Sequence, residues 1–305
     1  MNDKIYPAKL LLLGEYTVLC GSSSLAIPFP HFLLRFSRND NNNHKGVLKD
    51  YGKYLANRDF SNWDVSFDHP AYIDFLENGW FFETNIPVGY GVGSSGALTV
   101  AVFDTFFKVG NKGLLSDNTI LKTLFAEMEG FFHGKSSGID PLIIHLNQPV
   151  MSTSSGEIRL VEIDSGPFSA FQLLLIDSGI SRNTGDFVRI FNKKMEDNTY
   201  KTAYIEPLSA VNTALIDELT LMGGNSAYEV DLFRDFTEIS RLQFQAFQEM
   251  IPEHIYRVWE SVLKDDQHTL KLCGAGGGGY FYLLSKDLKA FKMAHPGFKL
   301  INIPL

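Results

Sequence analysis

The chain has 305 residues, 45% of them hydrophobic, and a formal net charge of -8, so it can bury a large core and favours two domains over one. That acidic balance, with no visible basic patch, argues against a nucleic-acid or anionic-membrane surface. Small molecules are the expected partners, and a homodimer is compatible with the same reading. No segment approaches the roughly 20 apolar residues of a membrane span. Residues 1–13 lack the basic start and long apolar run of a signal peptide, because Lys9 splits them and Gly14-Glu15 follow at once, so a cytoplasmic location is expected. Cys20 and Cys273 are the two cysteines; neither has metal-ligand spacing, and both read as small buried residues.

In chain order, Lys9 to Leu13 and Leu25 to Ile27 read as strands joined by a turn at Gly21 to Ser24, with Phe32 to Ser37 continuing in the same style. Arg38 to Asn43 is an asparagine-heavy stretch and reads as a solvent loop. The run Ile86-Pro87-Val88-Gly89-Tyr90-Gly91-Val92-Gly93-Ser94-Ser95-Gly96-Ala97 then leads into Leu98, Val102, Phe103, Phe106 and Phe107, which recur at helical spacing. A second helix is expected from Ser116 or Asp117, with Ile120, Leu121, Leu124, Phe125, Met128 and Phe132 on its buried side and Glu129 on the same stripe. Phe171 to Asp177 reads as a buried strand, Asp186 to about Lys264 as mainly helical, and Tyr280 to Leu284 as a strand behind the glycine-rich run Leu272 to Gly279.

Three spaced glycines and two serines opening a helix have the chemistry of a phosphate cradle. Glycines let backbone amides turn toward an anion, and the helix N-terminus points its partial positive charge at the same place. The alternative is a glycine turn capped by Ser94 or Ser95. Gly91 to Gly96 also fits the loose GxGxxG dinucleotide pattern, but the acid at the right distance, Asp117, lies in a helix start, and Pro87 interrupts the strand that pattern needs. No GxxxxGK[ST] string occurs. Glu129 on an apolar stripe either snorkels to water or meets a partner such as magnesium. Lys9 is a strand-edge charge or a functional cation, and Asp140, in His133-Gly134-Lys135-Ser136-Ser137-Gly138-Ile139-Asp140, is a turn carboxylate or a base. Arg182 is a solvated loop arginine or a carboxylate clamp. The glycines of Leu272 to Gly279 mark close approach of a ligand or of another loop.

Together these segments resemble the GHMP kinase superfamily. Pro7-Ala8-Lys9 with Gly14-Glu15-Tyr16 looks like its first motif, Pro87 to Ala97 like its ATP loop PxxxGLGSSAA, and Lys271 to Gly279 like its glycine-rich third motif. The resemblance implies an α+β protein of two domains: an N-terminal α/β domain with a left-handed βαβ unit over about 1–160, and a C-terminal ferredoxin-like domain over about 161–305. The active site would lie in the cleft between them. Within the superfamily, the spacing from Glu129 to Asp140 and the string from His133 to Asp140 are most similar to the mevalonate kinase family, whose stretch reads HGxPSGxD.

By that resemblance ATP and Mg2+ are the cofactors, with Pro87, Gly89, Gly91, Gly93, Ser94, Ser95, Gly96, Gly276 and Gly277 around the nucleotide. Ser95 and Glu129 would hold magnesium, Asp140 would take the proton of the acceptor hydroxyl, and Lys9 would lower that hydroxyl's pKa and orient Asp140. Glu15, Tyr16, His133, Arg182 and Thr184 would meet the substrate. The implied reaction is phosphorylation of the primary hydroxyl of mevalonate, with phosphomevalonate kinase or a sugar kinase as alternatives and a non-catalytic ligand sensor as the alternative from another class. Two residues depart from the pattern. Tyr16 stands where mevalonate kinases usually carry histidine, as in the GEY of phosphomevalonate kinases, and Ser136 stands where HGxPSGxD has proline, a change expected to loosen the loop that carries Asp140.

Overall fold

The computed structural model describes residues 4–38, 45–111, 113–182, 184–220 and 231–305; of the expected loop Arg38 to Asn43, residues 39–43 lie outside them. The chain forms two compact units that are not consecutive in sequence: Met1–Lys9, Ile27–Pro87 and Val92–Gln148 make the first, and Leu10–Ala26, Val88–Gly91 and Pro149–Leu305 the second. The strands β1 (Ile5–Leu13) and β2 (Ser24–Arg38) contribute to both. β2 is one continuous strand where two were expected. It neighbours β1 in the sheet and pairs with β4 over Leu34 to Arg38 and with β6 over Ser24 to Ala26, the last two ladders stopping short of Pro28 and Pro30.

The first unit continues through α1 (Lys45–Ala56), β3 (Val65–Phe67), α2 (His69–Glu77), β4 (Trp80–Thr84), α3 (Ser94–Phe106), β5 (Phe107–Val109), α4 (Asn118–His133) and α5 (Ile139–Leu146). Its core is helical. α5 packs against both α3 and α4, and Pro141, Leu142, Ile143 and Ile144 are all buried, so a helix of only 8 residues is held by tertiary contact and not by its own propensity. Each fully buried aliphatic side chain there contributes about 1.5–3 kcal/mol. Glycine sets how near the helices come: a Cβ on Gly96 of α3 would lie 3.0 Å from the Pro141 nitrogen of α5.

α4 begins where the sequence places it. Asp117 caps it, accepting from the Thr119 N–H at 2.7 Å and the Ile120 N–H at 3.3 Å, which disposes of Asp117 as a ribose-binding acid. The α4 to α5 turn needs glycine at 138: φ is +71° there, and a Cβ would collide with the Lys122 carbonyl oxygen of α4.

The second unit holds β6 (Val150–Ser152), β7 (Ile158–Leu160), β8 (Gln172–Asp177), α6 (Thr184–Lys194), α7 (Asn198–Tyr200), α8 (Glu206–Leu219), α9 (Leu232–Ala246), α10 (Glu253–Val262), β9 (His268–Leu272), β10 (Tyr280–Ser285), α11 (Leu288–Ala294) and β11 (Leu300–Asn302). Four of its strands form an antiparallel sheet in the order β11-β8-β10-β9. With helices between β8 and β9 and between β10 and β11, this is the expected ferredoxin-like α+β arrangement. The sheet's inner strands are hydrophobic on both faces, every residue of β10 being buried, which fits strands covered rather than exposed. α9 and α10 pack on β9, and the fully buried Trp259 of α10 satisfies its indole N–H on Ser240 Oγ at 2.8 Å. A π-helical turn at Lys201–Ile205 joins α7 to α8 just before Pro207, which cannot donate to the carbonyl four residues back.

Among the described residues no helix is long and apolar enough to cross a membrane. The cysteines divide: Cys273 is buried, whereas Cys20, expected to be buried too, is exposed on the short turn Thr17–Cys20 that follows β1.

Candidate active site

In the first unit one place gathers most of the expected residues. Lys9 lies on β1 and is buried, and its Nζ stands 2.9 Å from Asp140 Oδ1 in the first turn of α5. Its backbone N–H donates to the Val92 carbonyl at 3.0 Å, which fastens the glycine loop to the strand. Its aliphatic stem passes beneath Gly93, where a Cβ would come within 3.0 Å of Lys9 Cγ. Glycine at 93 therefore lets the helix start sit directly over the lysine.

Gly93 is the N-cap of α3, with φ 86°, and no side chain caps that helix. The capped-turn alternative for Ser94 and Ser95 thus falls, and the first N–H groups of α3 stay open for an anion. Ser95 points elsewhere. Its hydroxyl donates to Glu129 Oε1 at 2.7 Å and lies 2.9 Å from His133 Nε2; since its one hydrogen goes to the carboxylate, the imidazole is the donor in the second bond. Glu129 Oε2 accepts from Ser136 Oγ at 2.5 Å. Glu129 is buried on α4, and burial first, then the negative charge of Asp140, hold its carboxyl above the ordinary range, with the Ser136 and Ser95 hydrogen bonds pulling the other way. His133, expected to meet the substrate, is brought onto Ser95.

The donor set suits a hard divalent cation. Ser95 and Glu129 offer oxygen ligands, and the neighbouring Asp140 adds a second negative charge whose repulsion such an ion would relieve. Among the described residues no group of three or more His, Cys, Asp or Glu forms a cage of its own.

The second unit holds the rest. The loop residues Val88–Gly91 belong to it, and Gly89 and Gly91 have φ of 80° and 74°. The Gly89 carbonyl accepts the Arg182 N–H at 3.0 Å, and a Cβ on Gly91 would strike the Arg182 guanidinium. That guanidinium donates to the carbonyls of Gly276 at 2.6 Å and Cys273 at 3.3 Å, while its Nε is buried without a partner. Burial pushes its pKa below the ordinary arginine value. Among the described residues no carboxylate pairs with it, so a cation held by carbonyls faces the glycine loop with its charge uncompensated.

Gly276 and Gly277 owe their residue type to packing: a Cβ on the first would lie 2.5 Å from the Met250 carbonyl, and one on the second would strike the Phe187 ring. Of the alternatives for this run, close approach of the protein's own segments is the one seen at these two positions. Thr184 opens α6, but its side chain, like all of Asn183, lies outside the described residues.

Glu15 and Tyr16, expected to meet the substrate, both lie buried in the second unit. Glu15 is buried with Lys271 of β9, Oε1 to Nζ 2.5 Å, and its Oε2 lies 3.4 Å from Gln243 Nε2. Burial raises its pKa and the Lys271 charge opposes the rise. Tyr16 has φ 62°, a left-handed conformation uncommon outside glycine. Its ring lies between Phe191 and Phe247 at 4.8 and 4.7 Å, and its hydroxyl donates to the Ala275 carbonyl at 2.5 Å. Sequence reading missed Lys271 as the partner of Glu15 and Ser136 as the partner of Glu129. Lys271, set between Leu270 and Leu272 in the wholly buried β9, was the available signal for the first.

Residues 65–146 match the family model of the GHMP kinases N terminal domain, a stretch that includes the glycine loop, Glu129 and Asp140. Over nearly its whole length the chain has the fold of solved GHMP kinases, and in sequence it is similar to mevalonate kinases. The mevalonate kinase of Pyrococcus abyssi is 24% identical over 310 residues, covering 92% of this chain and 87% of the relative. The crystal structure of L. major mevalonate kinase in complex with R-mevalonate superposes with a TM-score of 0.63 at 14% identity, covering 99% of this chain and 96% of that one. Streptococcus pneumoniae phosphomevalonate kinase, in complex with phosphomevalonate and AMPPNP, gives 0.62 at 16% identity, covering 99% and 100%.

Proposed function

We propose that this chain is an ATP-dependent phosphotransferase acting on the primary hydroxyl of mevalonate, a reaction of isoprenoid synthesis. The observation that carries the reading is the Lys9–Asp140 pair at 2.9 Å, set beside Ser95 and Glu129 and the uncapped start of α3. Phosphoryl transfer asks a protein chiefly to align a nucleophile and to neutralise spreading negative charge. A base, a fixed cation and open helix amides supply those needs. The curated relatives named mevalonate kinase favour this acceptor over others.

In the reaction the acceptor oxygen attacks the γ-phosphorus, the bond to the β,γ-bridging oxygen breaks, and ADP leaves. Asp140 takes the hydroxyl proton on its carboxylate. Lys9 holds Asp140 in place and favours the developing alkoxide by its charge. The α3 amides of Ser94 to Gly96 receive phosphate oxygens. Ser95 and Glu129 would hold magnesium, which when bound neutralises charge on the phosphates. Arg182, a cation without a carboxylate partner, fits an anionic group of a ligand.

The test is magnesium-dependent ADP release from ATP with mevalonate, 5-phosphomevalonate and a panel of small sugars as acceptors, and Asp140→Asn as the blank. Turnover on mevalonate that disappears in the variant is expected. Preference for 5-phosphomevalonate would move the acceptor, and silence with every acceptor despite ATP binding would make the chain a ligand sensor.

A further inference from the structure

Ser136 is where this chain departs from HGxPSGxD, and its hydroxyl is placed at the junction of two functional groups. The Gly138 N–H donates to Ser136 Oγ at 3.0 Å. A backbone N–H can only donate, so Ser136 Oγ is the acceptor there, and its own single hydrogen is left for Glu129 Oε2 at 2.5 Å. Gly138 is the N-cap of α5, and Asp140 lies in that helix's first turn. One oxygen atom therefore ties the carboxylate of α4 to the turn that presents Asp140.

The rest of the carboxylate is fixed in the same way. Glu129 Oε1 takes the Ser95 hydroxyl at 2.7 Å, so each oxygen of a buried glutamate has one hydroxyl donor from a different segment. With Ser136 removed, Oε2 would lose its donor in a place where water has little access, and Glu129 could turn about its terminal torsion, which is broad and soft for Glu. A proline at 136 would stiffen the loop but give Glu129 nothing, since proline carries no donor. The structure places a hydrogen-bonded strut in this loop at the position where the pattern has proline.

We propose that Ser136 is a positioning residue for the divalent cation: it orients Glu129 toward the ion and couples that orientation to the α5 turn bearing Asp140. The proposal rests on the kinase reading, in which Glu129 is a magnesium ligand. It acts through Glu129 and touches neither substrate nor nucleotide.

The experiment measures Mn2+ affinity by electron paramagnetic resonance in the presence of a non-hydrolysable ATP analogue, together with the Mg2+ concentration for half-maximal turnover. The full-length protein is compared with Ser136→Ala, Ser136→Thr, Ser136→Pro and Glu129→Gln. A hydrogen bond to a charged group justifies an expected weakening of Mn2+ binding by about tenfold or more in Ser136→Ala. The Mg2+ midpoint should rise by the same factor and the rate should recover as Mg2+ is raised, while KM for the acceptor stays put. Ser136→Thr keeps the hydroxyl and should restore both midpoints; Ser136→Pro should resemble Ser136→Ala. Should Ser136→Ala not fold, Ser136→Cys, a weak donor, carries the same expectation.

Mn2+ affinity equal to that of the unaltered chain in Ser136→Ala, or its full recovery in Ser136→Pro, overturns the proposal while Glu129→Gln remains defective. If Glu129→Gln also binds Mn2+ normally, the metal-ligand reading of Glu129 falls and takes this proposal with it.

Discussion

Replacing Asp140 by asparagine separates chemistry from architecture more sharply than any other change at the site. The substitution keeps the side chain's shape and an oxygen that can accept from Lys9 Nζ, now 2.9 Å away, but the amide cannot take a proton. A positioned general base contributes about 10²–10⁴-fold, equivalent to about 2.7–5.4 kcal/mol of barrier, and the loss should appear in kcat. Stability should change little. Asparagine keeps an acceptor for the buried Lys9, and losing the charge relieves repulsion on buried Glu129. A thermal midpoint within about 2–4 °C of the original is expected. The assay is ADP release at saturating ATP, Mg2+ and mevalonate, with thermal unfolding on the same samples, and Lys9→Met alone and combined with Asp140→Asn. Because the two residues act as a unit, the double variant should lose about as much as the worse single one. A kcat within tenfold of the original in Asp140→Asn, or losses that multiply fully in the double variant, would refute the base and orienter assignment.

Three further outcomes follow from the packing. Gly138→Ala forces an L side chain into φ +71° and onto the Lys122 carbonyl, so denaturant unfolding should show at least about 1–3 kcal/mol of lost stability; a change under about 0.5 kcal/mol would mean the turn relaxes freely. Lys271→Met leaves Glu15 buried without its cation and should cost about 3–5 kcal/mol, part of which Glu15→Gln restores in the double variant; full additivity of the two changes would deny the pairing. For Asp104, burial raises the pKa, but His145 and Lys4, which face its two oxygens, more than offset it, and the net shift is downward. A carboxyl depressed in the folded state means that the unfolded chain binds more protons in acid, so its contribution is present above the unfolded value near 3.9 and is lost as pH falls through the folded value. Asp104→Asn should therefore flatten the acid limb of a stability-versus-pH curve; an unchanged slope below about pH 4 would count against it.

Much of the site was legible because its parts are local. The glycine loop, its helix, the Asp117 cap and the eleven-residue spacing from Glu129 to Asp140 are all written in short stretches, and periodicity alone put Glu129 on the buried stripe of α4. What stayed hidden depends on segments far apart in the chain. Nothing near Glu15 in sequence announces Lys271, 256 residues on, and the unbroken run of β2 across Pro28 and Pro30 follows from which neighbours its ladders have. The interleaving of the two units at Lys9/Leu10, Ala26/Ile27, Pro87/Val88 and Gly91/Val92 is likewise a property of contacts, with no change of composition at those points.

Tyr16 departs from the histidine of the mevalonate kinase pattern, and the structure shows what holds it in place. Taken as a letter in a motif, it weighed toward a phosphorylated acceptor. In the structure its hydroxyl is spent on the Ala275 carbonyl and its ring on Phe191 and Phe247, and the preceding Gly14, with φ +105°, is pressed against Ser24. The left-handed backbone at Tyr16 is sustained by that packing, which a histidine, with a smaller ring and a different donor position, would not reproduce. Its identity is thus accounted for by the seam between the first motif and the glycine-rich turn. Among the described residues of the second unit, the guanidinium of Arg182 is a cation that backbone carbonyls hold and no carboxylate pairs with.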